Sequence, residues 1–442
     1  MLVVATAGCI GAFIKGAHLQ QPWSALIILF DILAILAATA LTVRTPGNPA
    51  ALKGTAGIIR GKVDKFDECD TVFSVLKESW ARPHYEKHIG RELTDDERVP
   101  PEFLNTLKDG ELSGSSLPVK GLIDRGKGDV VVAMAEACSK VTFALERDEL
   151  LNPQVADKCV PLTPAEATRR VKGYAKQLGA VLCGIAPVDR RWVYSRRGVG
   201  GVAQDAWGDT IKMDHPNAIV FAVEMDLELV NPGPHSPCVL ETMQNYAKAA
   251  FIAAQLADFI AKLGYTAKAN QMEHYDGLMV PLAVNAGLGE LSRMGYLVTK
   301  EYGPRVRLNA VFTELELELD DPVDLGLVDF CDVCKKCAHC CPSQSIPLGE
   351  RTEHNGILRW KLDADTCLKY WQSVGTDCAV CMRVCPWSHA RTWPHRLVTQ
   401  LVSRNWLARR VFTWMDDVFY GKKPRAKVPP RWAECGMGKD RE

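Results

Sequence analysis

The sequence has no excess of charge of either sign, no low-complexity tract and no nucleotide-binding fingerprint. Lys and Arg together number 53, as do Asp and Glu, so the net charge gives no reason to expect a nucleic-acid partner. Neither a P-loop nor a strand–turn–helix GxGxxG pattern occurs. A chain of 442 residues with 47% hydrophobic residues can nevertheless bury a full core, and we expect two or three domains.

The N-terminus lacks both a twin-Arg pair and the basic stretch of a cleaved export signal, so we expect it to be retained. Residues 23–43 are nearly all apolar, and roughly 20 such residues cross ~30 Å of hydrocarbon as a helix. Asp31 interrupts this run at a cost of about 2.5–3.5 kcal/mol near mid-bilayer, unless it is paired. Residues 2–14 are apolar but shorter and could add a first helix. A buried core helix is the alternative interpretation of 23–43.

Basic residues are distributed unequally around this run. Five follow it within about twenty residues, whereas one precedes it, so the positive-inside rule predicts a membrane anchor with the catalytic part on the cytoplasmic side. The five are Arg44, Lys53, Arg60, Lys62 and Lys65, and the one is Lys15.

Cysteines are sparse over most of the chain and crowded in one stretch. Six of the sixteen are scattered singly before residue 300, whereas nine lie between Cys331 and Cys385. Disulfide scaffolds are typical of short secreted chains, while the C-x-x-C steps here suit metal ligation. Residues 331–342 read CDVCKKCAHCCP, the bacterial ferredoxin run. In this run three cysteines bind one [4Fe–4S] cluster and the fourth, before Pro, binds a neighbouring cluster.

A second set, Cys367 and then C-x2-C-x3-C-P at 378–386, supplies the remaining ligands. With exchange of the fourth ligand, the predicted sets are Cys331, Cys334, Cys337 and Cys385 for one cluster, and Cys341, Cys367, Cys378 and Cys381 for the other. Cys340 is left over and is expected to be a packed thiol. Zinc is the competing metal, but a four-ligand zinc site gives no reason for two C-x3-C-P endings. Two adjacent clusters would carry electrons to a site of chemistry.

The region before the cysteines alternates apolar runs with helical patterns, which predicts an α/β or α+β core. A capping box at 163–166 opens a helix, and short buried-strand patterns lie at 180–186 and 218–223. A long helix is predicted over 241–263, with Gly264 as its stop. Two glycine-rich turns, which either approach a large flat ligand or are plain loops, follow at 286–290 and 302–307.

Several motifs spread over about 66–421 resemble those of corrinoid-dependent reductive dehalogenases with two [4Fe–4S] clusters. They are FDE at 66–68, RWVYS at 191–195, the blocks at 287–293 and 303–307, TELEL at 313–317, both cysteine sets and DDVFYG at 416–421. The resemblance implies a nitroreductase-like core that holds a base-off cobalamin, followed by a ferredoxin-like domain with two [4Fe–4S] clusters. No Asp-x-His-x-x-Gly loop, which would donate a histidine to cobalt, is present. Such an enzyme uses Co(I) to replace the halogen of a small organohalide by hydrogen.

The resemblance divides the chain into five parts. They are a membrane anchor of one or two helices at 1–44, a region covering the corrinoid and substrate pocket at 45–160, the cobalamin-binding core at 161–325, the cluster domain at 326–390 and a C-terminal extension at 391–442. The expected partners are the organohalide, membrane lipid and an electron donor, either the quinol pool or a soluble ferredoxin or flavodoxin. A homodimer is left open.

In that family a tyrosine supplies the proton, and a neighbouring basic residue lowers its pKa; the matching residues are Tyr246 and Arg307. The helix pattern alone favours a core aromatic for Tyr246, and Arg307 alone favours an ion pair. Trp371 matches a wall of the substrate pocket, although covering the adjacent cluster is an equal alternative. His274 lies where relatives often carry an Asn near the corrinoid, and it could compete for the acid role. The remaining predicted pocket residues are Tyr194 and Thr242.

Two other functions remain open from the sequence. Epoxyqueuosine reductases share the corrinoid and cluster plan, but they usually show Cys-Ile-Ser-Tyr where this chain has Cys-Leu-Lys-Tyr at 367–370, and they lack a membrane helix. A membrane-bound electron-transfer protein would contain iron and sulfide without cobalt. The cobalt content therefore distinguishes an electron-transfer protein from a corrinoid enzyme.

Overall fold

The computed structural model describes residues 43–76, 130–198 and 208–435, apart from 273 and 375, together with residues 31 and 39–40. The apolar run predicted to cross the membrane at 23–43 lies almost entirely outside these residues, as does the 2–14 stretch. In the described part of the chain, no helix has the length and apolar character that a membrane span requires.

The core is built on one four-stranded antiparallel sheet, in which the strand order is β1-β2-β6-β3. Its strands are β1 (Leu182–Pro187), β2 (Asn217–Glu224), β3 (Ala267–Ala269) and β6 (Val306–Thr313). Two small antiparallel hairpins are formed by β4 (Glu290–Leu291) with β5 (Leu297–Val298), and by β7 (Thr352–His354) with β8 (Ile357–Arg359). The strands predicted at 180–186 and 218–223 are confirmed as β1 and β2. The continuous apolar run of β2 is explained by its central position, because both of its faces are covered.

The α-helices of the described residues are, in chain order, α1 (Val72–Leu76), α2 (Val130–Ala144), α3 (Asp148–Leu151), α4 (Pro164–Gln177), α5 (Leu227–Val230), α6 (Pro237–Lys262), α7 (Met279–Asn285), α8 (Leu327–Cys334), α9 (Lys336–Cys340), α10 (Ala364–Val374), α11 (Val380–Arg383), α12 (Trp393–Val402) and α13 (Trp406–Tyr420). The capping box that opens α4 is confirmed, since the Thr163 hydroxyl accepts from the Glu166 N–H and the Glu166 carboxylate accepts from the Thr163 N–H. One short 3-10 turn at Pro386–Ser388 follows the last cysteine.

The long helix α6 packs along the sheet and fills one face of the core. It begins four residues before the predicted 241, with Pro237 in its first turn, and it ends before Gly264, whose φ of 90° suits a glycine. Fully buried side chains of α6 meet those of β1, β2 and α4: Val171, Ile185, Ile219, Phe221, Ile252, Leu256 and Ile260. A second apolar cluster around Val220, Leu282 and Phe312 covers the opposite face, so the sheet is buried on both sides.

The cysteine-rich part folds as short helices, of which α8 packs beside β4, and α12 and α13 form an antiparallel hairpin over them. Arg409 of α13 donates to the Asp329 carboxylate of α8 at 3.1 Å, and Lys336 of α9 is paired with Asp416 of α13. The C-terminal extension therefore packs mainly on the cysteine helices. The domain boundaries derived from the sequence stay predictions.

Candidate functional site

One group of four cysteines lies where α8, α9 and the 386–388 turn converge. Burial raises the pKa of the Cys385 thiol well above its ordinary value, and the neighbouring thiolates of Cys334, Cys331 and Cys337 act in the same direction. Mutual electrostatic influence of this kind requires proximity, so these four side chains share one site. They are called the first cysteine group: Cys331, Cys334, Cys337 and Cys385.

The second group forms between α9, α10 and α11. Burial raises the pKa of Cys381 well above its ordinary value, and the next contributions come from Cys378, Cys337, Cys367 and Cys341. The second cysteine group is therefore Cys341, Cys367, Cys378 and Cys381. Because Cys337 of the first group also acts on Cys381, the two groups are neighbours. The electrostatic neighbours of Cys385 and Cys381 agree with the two sets that ligand exchange predicts, and the assignment of each cysteine to one cluster stays a prediction.

The two cysteine-containing loops share one backbone feature, a non-glycine residue in the left-handed conformation directly after a cysteine. Lys335 follows Cys334 with φ 51°, and Ala379 follows Cys378 with φ 48°. Such left-handed residues without glycine are uncommon and cluster at functional sites, where the surrounding structure holds them. Lys335 lies between α8, which ends at Cys334, and α9, whereas Ala379 caps the start of α11.

The donor sets fit [4Fe–4S] clusters. None of the eight cysteines is fully exposed, and crowded thiolates require positive charge to be stable, which iron supplies. Within the described residues, no group of three or more His, Cys, Asp or Glu side chains could hold a single metal ion. In a cubane each thiolate binds a different iron. Cys340 lies apart, and its thiol donates to the Lys422 carbonyl at 3.4 Å.

Two connected cavities separate the second cysteine group from the sheet. The inner cavity has all four cysteines of the second group in its wall, opposite Thr242, Tyr246 and Arg307. The outer cavity shares its central residues with the inner one: Thr242, Tyr246, Tyr275, Tyr296, Arg307, Leu362, Cys367, Trp371 and Asp377. Because the two cavities share these nine residues, they form one continuous space beside the second cysteine group.

Tyr246 and Arg307 meet at the junction of the two cavities. Tyr246 lies on α6, and Arg307 lies near the start of β6, opposite Val223 in the sheet register. The Arg307 Nη1 donates to the Tyr246 hydroxyl at 3.3 Å, and its guanidinium carbon lies 4.9 Å from the centre of the tyrosine ring. A phenol held by a guanidinium in a cavity wall is suited to transferring a proton.

The Arg307 side chain is fixed from two further sides. Its Nη2 donates to the Thr242 hydroxyl at 2.8 Å and lies 3.8 Å from the Asp377 carboxylate. Burial by itself lowers the pKa of Arg307, but electrostatic interactions with Tyr246 and Asp377 raise it above its ordinary value. Burial raises the pKa of Asp377, although the positive charge of the Arg307 guanidinium acts in the opposite direction. Sequence reasoning missed Asp377, although a carboxylate directly before the cluster ligand Cys378 was a usable signal.

The outer cavity is closed by the segment around 66–74. The ring of Phe73 lies 6.2 Å from that of Trp371, and Tyr194 lines the same space. Glu68 accepts from the Gly198 N–H at 3.0 Å and lies 3.7 Å from Arg197, which is itself paired with Asp276. The FDE motif is therefore the anchor that holds this segment on the core.

His274 does not line either cavity, whereas its neighbour Tyr275 lines both. Burial lowers the pKa of His274 to about 4, and the positive charge of Arg197 acts in the same direction. The imidazole is therefore neutral at pH 7. Burial raises the pKa of the cavity tyrosines Tyr194, Tyr275 and Tyr296, which keeps their hydroxyls protonated.

Comparison with known proteins supports the motif-based resemblance. The family of 4Fe-4S dicluster domains matches residues 330–389, so this stretch is a dicluster domain. Tetrachloroethene reductive dehalogenase from Sulfurospirillum multivorans is 34% identical over 311 residues, which cover 62% of this chain and 61% of that protein. A match to epoxyqueuosine reductase from Lactococcus garvieae is 31% identical but covers 30% of this chain.

Solved structures of reductive dehalogenases share the fold. The catabolic reductive dehalogenase NpRdhA in complex with 3-bromo-4-hydroxybenzoic acid aligns with a TM-score of 0.65 at 22% identity, over 86% of this chain and 49% of that one. A reductive dehalogenase whose structure suggests a mechanism for B12-dependent dehalogenation aligns with a TM-score of 0.66 over the same shares. The resemblance to reductive dehalogenases is confirmed, and this chain spans about three fifths of the length of the curated relative.

Proposed function

We propose that this protein is a reductive dehalogenase, an oxidoreductase that replaces the halogen of a small organohalide by hydrogen. The observation that carries the proposal is that a group of cysteines and a candidate proton donor lie on opposite walls of one cavity. One wall consists of the second cysteine group, and the other presents the Tyr246 hydroxyl held by Arg307. Electrons would arrive from the first wall and a proton from the second.

A base-off cobalamin fits the space between these walls. Three buried polar atoms at the cavities have no partner among the described residues: Arg307 Nε, Trp371 Nε1 and Asp377 Oδ1. Buried polar groups are normally hydrogen-bonded, so three together at one cavity indicate a polar ligand. When bound, the corrinoid would supply a strongly reducing Co(I) centre to the carbon–halogen bond. Thr242, Tyr296 and Arg307 would hold it, within a core of nitroreductase-like type.

The residues of the chain account for the proton in a balanced reaction. An organohalide, two electrons and one proton give a halide ion and the product in which hydrogen replaces that halogen, so one group must deliver a proton at the carbon. Tyr246 has its hydroxyl at the cavity surface, and Arg307 provides a permanent positive charge beside the oxygen that loses the proton. Asp377 and Thr242 keep that guanidinium in place.

The outer cavity favours an apolar, flat substrate. Its wall combines the aromatic rings of Phe73, Tyr194, Tyr275 and Trp371, and few charged groups line it. Halogenated alkenes and halogenated arenes bury against such rings with the halogen directed at the cofactor. Tetrachloroethene and 3-bromo-4-hydroxybenzoic acid are suitable first probes, one neutral and one anionic.

The proposed cellular setting follows from the sequence. The apolar run at 23–43 and the basic residues after it support a membrane-anchored enzyme with its catalytic part in the cytoplasm. The donor would be a quinol or a soluble ferredoxin or flavodoxin, and the protein could work as a homodimer. Protease digestion of sealed inverted vesicles tests the orientation, because a cytoplasmic catalytic part is cleaved only where it faces outward.

Replacing the acid tests the proposed function. Tyr246→Phe removes the proton and little else, so we expect halide release to fall at least about 10²-fold while iron and cobalt contents stay at wild-type levels. Tyr174→Phe is the matched control, because the Tyr174 hydroxyl bonds Gln255 away from both cavities. Full activity of Tyr246→Phe would refute the assignment of the acid.

A further inference from the structure

The antiparallel hairpin of α12 and α13, here called the aromatic hairpin, exposes an unusual number of large apolar side chains. Trp393 is 78% exposed, Trp414 66% and Phe419 72%. Three of the four exposed tryptophans among the described residues lie on this hairpin. Its exposed apolar residues are Trp393, Leu397, Trp406, Trp414, Val418, Phe419 and Tyr420. Exposed apolar patches of this kind mark contacts with other molecules.

The spacing of these residues follows the helices. On α13, Trp406, Arg410, Trp414 and Val418 recur every four residues and form one stripe, in which the Arg410 guanidinium lies 5.0 Å from the centre of the Trp406 ring. On α12, Trp393 and Leu397 have the same spacing. His395 bonds the Tyr420 hydroxyl at 2.8 Å and fixes the start of α12 to the end of α13.

The surroundings of the hairpin are strongly basic in a chain with no net charge. Seven Lys and Arg residues between positions 391 and 425 are exposed: Arg391, Arg396, Arg404, Arg410, Lys422, Lys423 and Arg425. Of these, Arg410 is paired with Asp329 of α8 at 3.4 Å. The hairpin has two carboxylates, and both contact Lys336, which is paired with Asp416 and lies 2.9 Å from Asp417. Tryptophan and tyrosine combined with Lys and Arg are typical of surfaces at the headgroup level of a membrane.

The chain itself leads from the predicted membrane helix to this hairpin. Asn405, which caps α13, donates from Nδ2 to the carbonyls of Ala40 at 2.7 Å and Val43 at 2.6 Å. The Thr45 N–H donates to the Arg404 carbonyl at 2.9 Å. The end of the apolar 23–43 run is therefore fixed at the turn between α12 and α13, one residue from the exposed Trp406.

We propose that the aromatic hairpin binds the headgroup region of an anionic phospholipid bilayer, as a second membrane contact beside the helix predicted at 23–43. The tryptophans would enter the boundary between headgroups and acyl chains, and the exposed cations would bind lipid phosphates. Because α13 packs on α8 and α9, this contact orients the first cysteine group toward the membrane surface. The inference does not depend on dehalogenation.

The test uses the full chain reconstituted in vesicles that contain anionic phospholipid and phosphatidylcholine brominated near the top of its acyl chains. Bromine quenches tryptophans that reach the lipid. If Trp406 and Trp414 are in lipid, the Trp406→Ser/Trp414→Ser variant loses quenchable emission, and the quenched fraction falls. If both face water, the variant loses unquenched emission, and the fraction rises, which would overturn the proposal. Phe251→Ser, an exposed aromatic on α6, is the control that leaves the fraction unchanged.

Hydrogen exchange distinguishes binding of a bilayer to the aromatic hairpin from binding of another protein segment to the same surface. We expect slower deuterium uptake over α12 and α13 in anionic nanodiscs than in detergent micelles. This difference in uptake should disappear for the Lys422→Gln/Lys423→Gln variant in nanodiscs of neutral lipid. Equal protection in detergent and nanodiscs would assign the face to residues 1–38 or to a second copy and overturn the proposal. A molar mass that doubles in detergent, and halves in the double tryptophan variant, would identify the second copy.

Discussion

At the scale of single residues, the site depends on how one guanidinium is held. Arg307 contacts the Tyr246 hydroxyl, the Thr242 hydroxyl and the Asp377 carboxylate, so its position is set from α6 and from the loop before Cys378. Spacing within the sequence could not show this arrangement, because the three partners come from segments up to about 135 residues apart. Only the resemblance to a family suggested Tyr246 and Arg307, and Asp377 was missed although it directly precedes Cys378.

Asp377 is expected to act as a positioning residue. Asp377→Asn removes the charge 3.8 Å from the Arg307 guanidinium, and a displacement of a catalytic group by about 1 Å can cost about 10²-fold, so halide release should fall roughly 10- to 100-fold with little change in KM. The measurement is steady-state kinetics at fixed iron and cobalt content. Asp365→Asn, which removes an exposed carboxylate in the first turn of α10, is the control. A normal kcat in Asp377→Asn would remove its role.

His274 is expected to be dispensable for proton transfer. Burial and Arg197 lower the pKa of His274 to about 4, so the imidazole is already neutral throughout the range in which an ordinary histidine titrates. His274→Gln should therefore leave the activity at pH 7 within about twofold and add or remove no limb of the pH–rate profile between pH 5 and 8. A profile that loses a limb in this variant would return His274 to the list of candidate acids.

At the scale of elements, the sequence predicted what depends on local pattern. The capping box of α4, the strands β1 and β2 and the stop of α6 at Gly264 were all readable, since each depends on neighbouring residues. The start of α6 was missed because Pro237 was not recognised as a first-turn residue. The strand order β1-β2-β6-β3 depends on pairing between residues up to 96 apart, Asn217 with Thr313, and no periodicity encodes it.

Glu290 on β4 joins the core to the cysteine helices. Its carboxylate accepts from the N–H groups of Leu325 at 2.6 Å and Leu327 at 3.1 Å, at the start of α8. Burial raises the pKa of Glu290 to about 7, although the two N–H groups oppose this shift. The folded protein therefore binds a proton that the unfolded chain releases above its ordinary pKa of 4.5.

This linkage predicts that stability falls as the pH rises from about 4.5 to about 7. The native state holds more protons in this window, so the free energy of unfolding decreases with pH there, by roughly 3 kcal/mol at most from this group. Glu290→Gln keeps an acceptor for the N–H groups and abolishes the contribution. Anaerobic urea denaturation at pH 5 and pH 7 measures it. An equal pH dependence in wild type and variant would show that Glu290 does not titrate in this range.

At the scale of the whole molecule, each part contacts the next. The aromatic hairpin packs on the helices of the first cysteine group, this group adjoins the second through Cys337 and Cys381, and the second group forms a wall of the inner cavity. In the proposed function, electrons entering at the first group would pass through the second group to the cavity that Tyr246 lines. The cysteine spacing predicted both groups, whereas their position opposite Tyr246 required the folded chain.

The most direct test of this account is the stoichiometry of halide release. The full chain, purified without oxygen and assayed for iron and cobalt, is given a measured amount of reduced viologen with tetrachloroethene or 3-bromo-4-hydroxybenzoic acid. The account predicts stoichiometric cobalt and one halide ion released for every two electrons consumed. Protein that contains iron but no cobalt, or that oxidises viologen without releasing halide from a wider panel of organohalides, would contradict it.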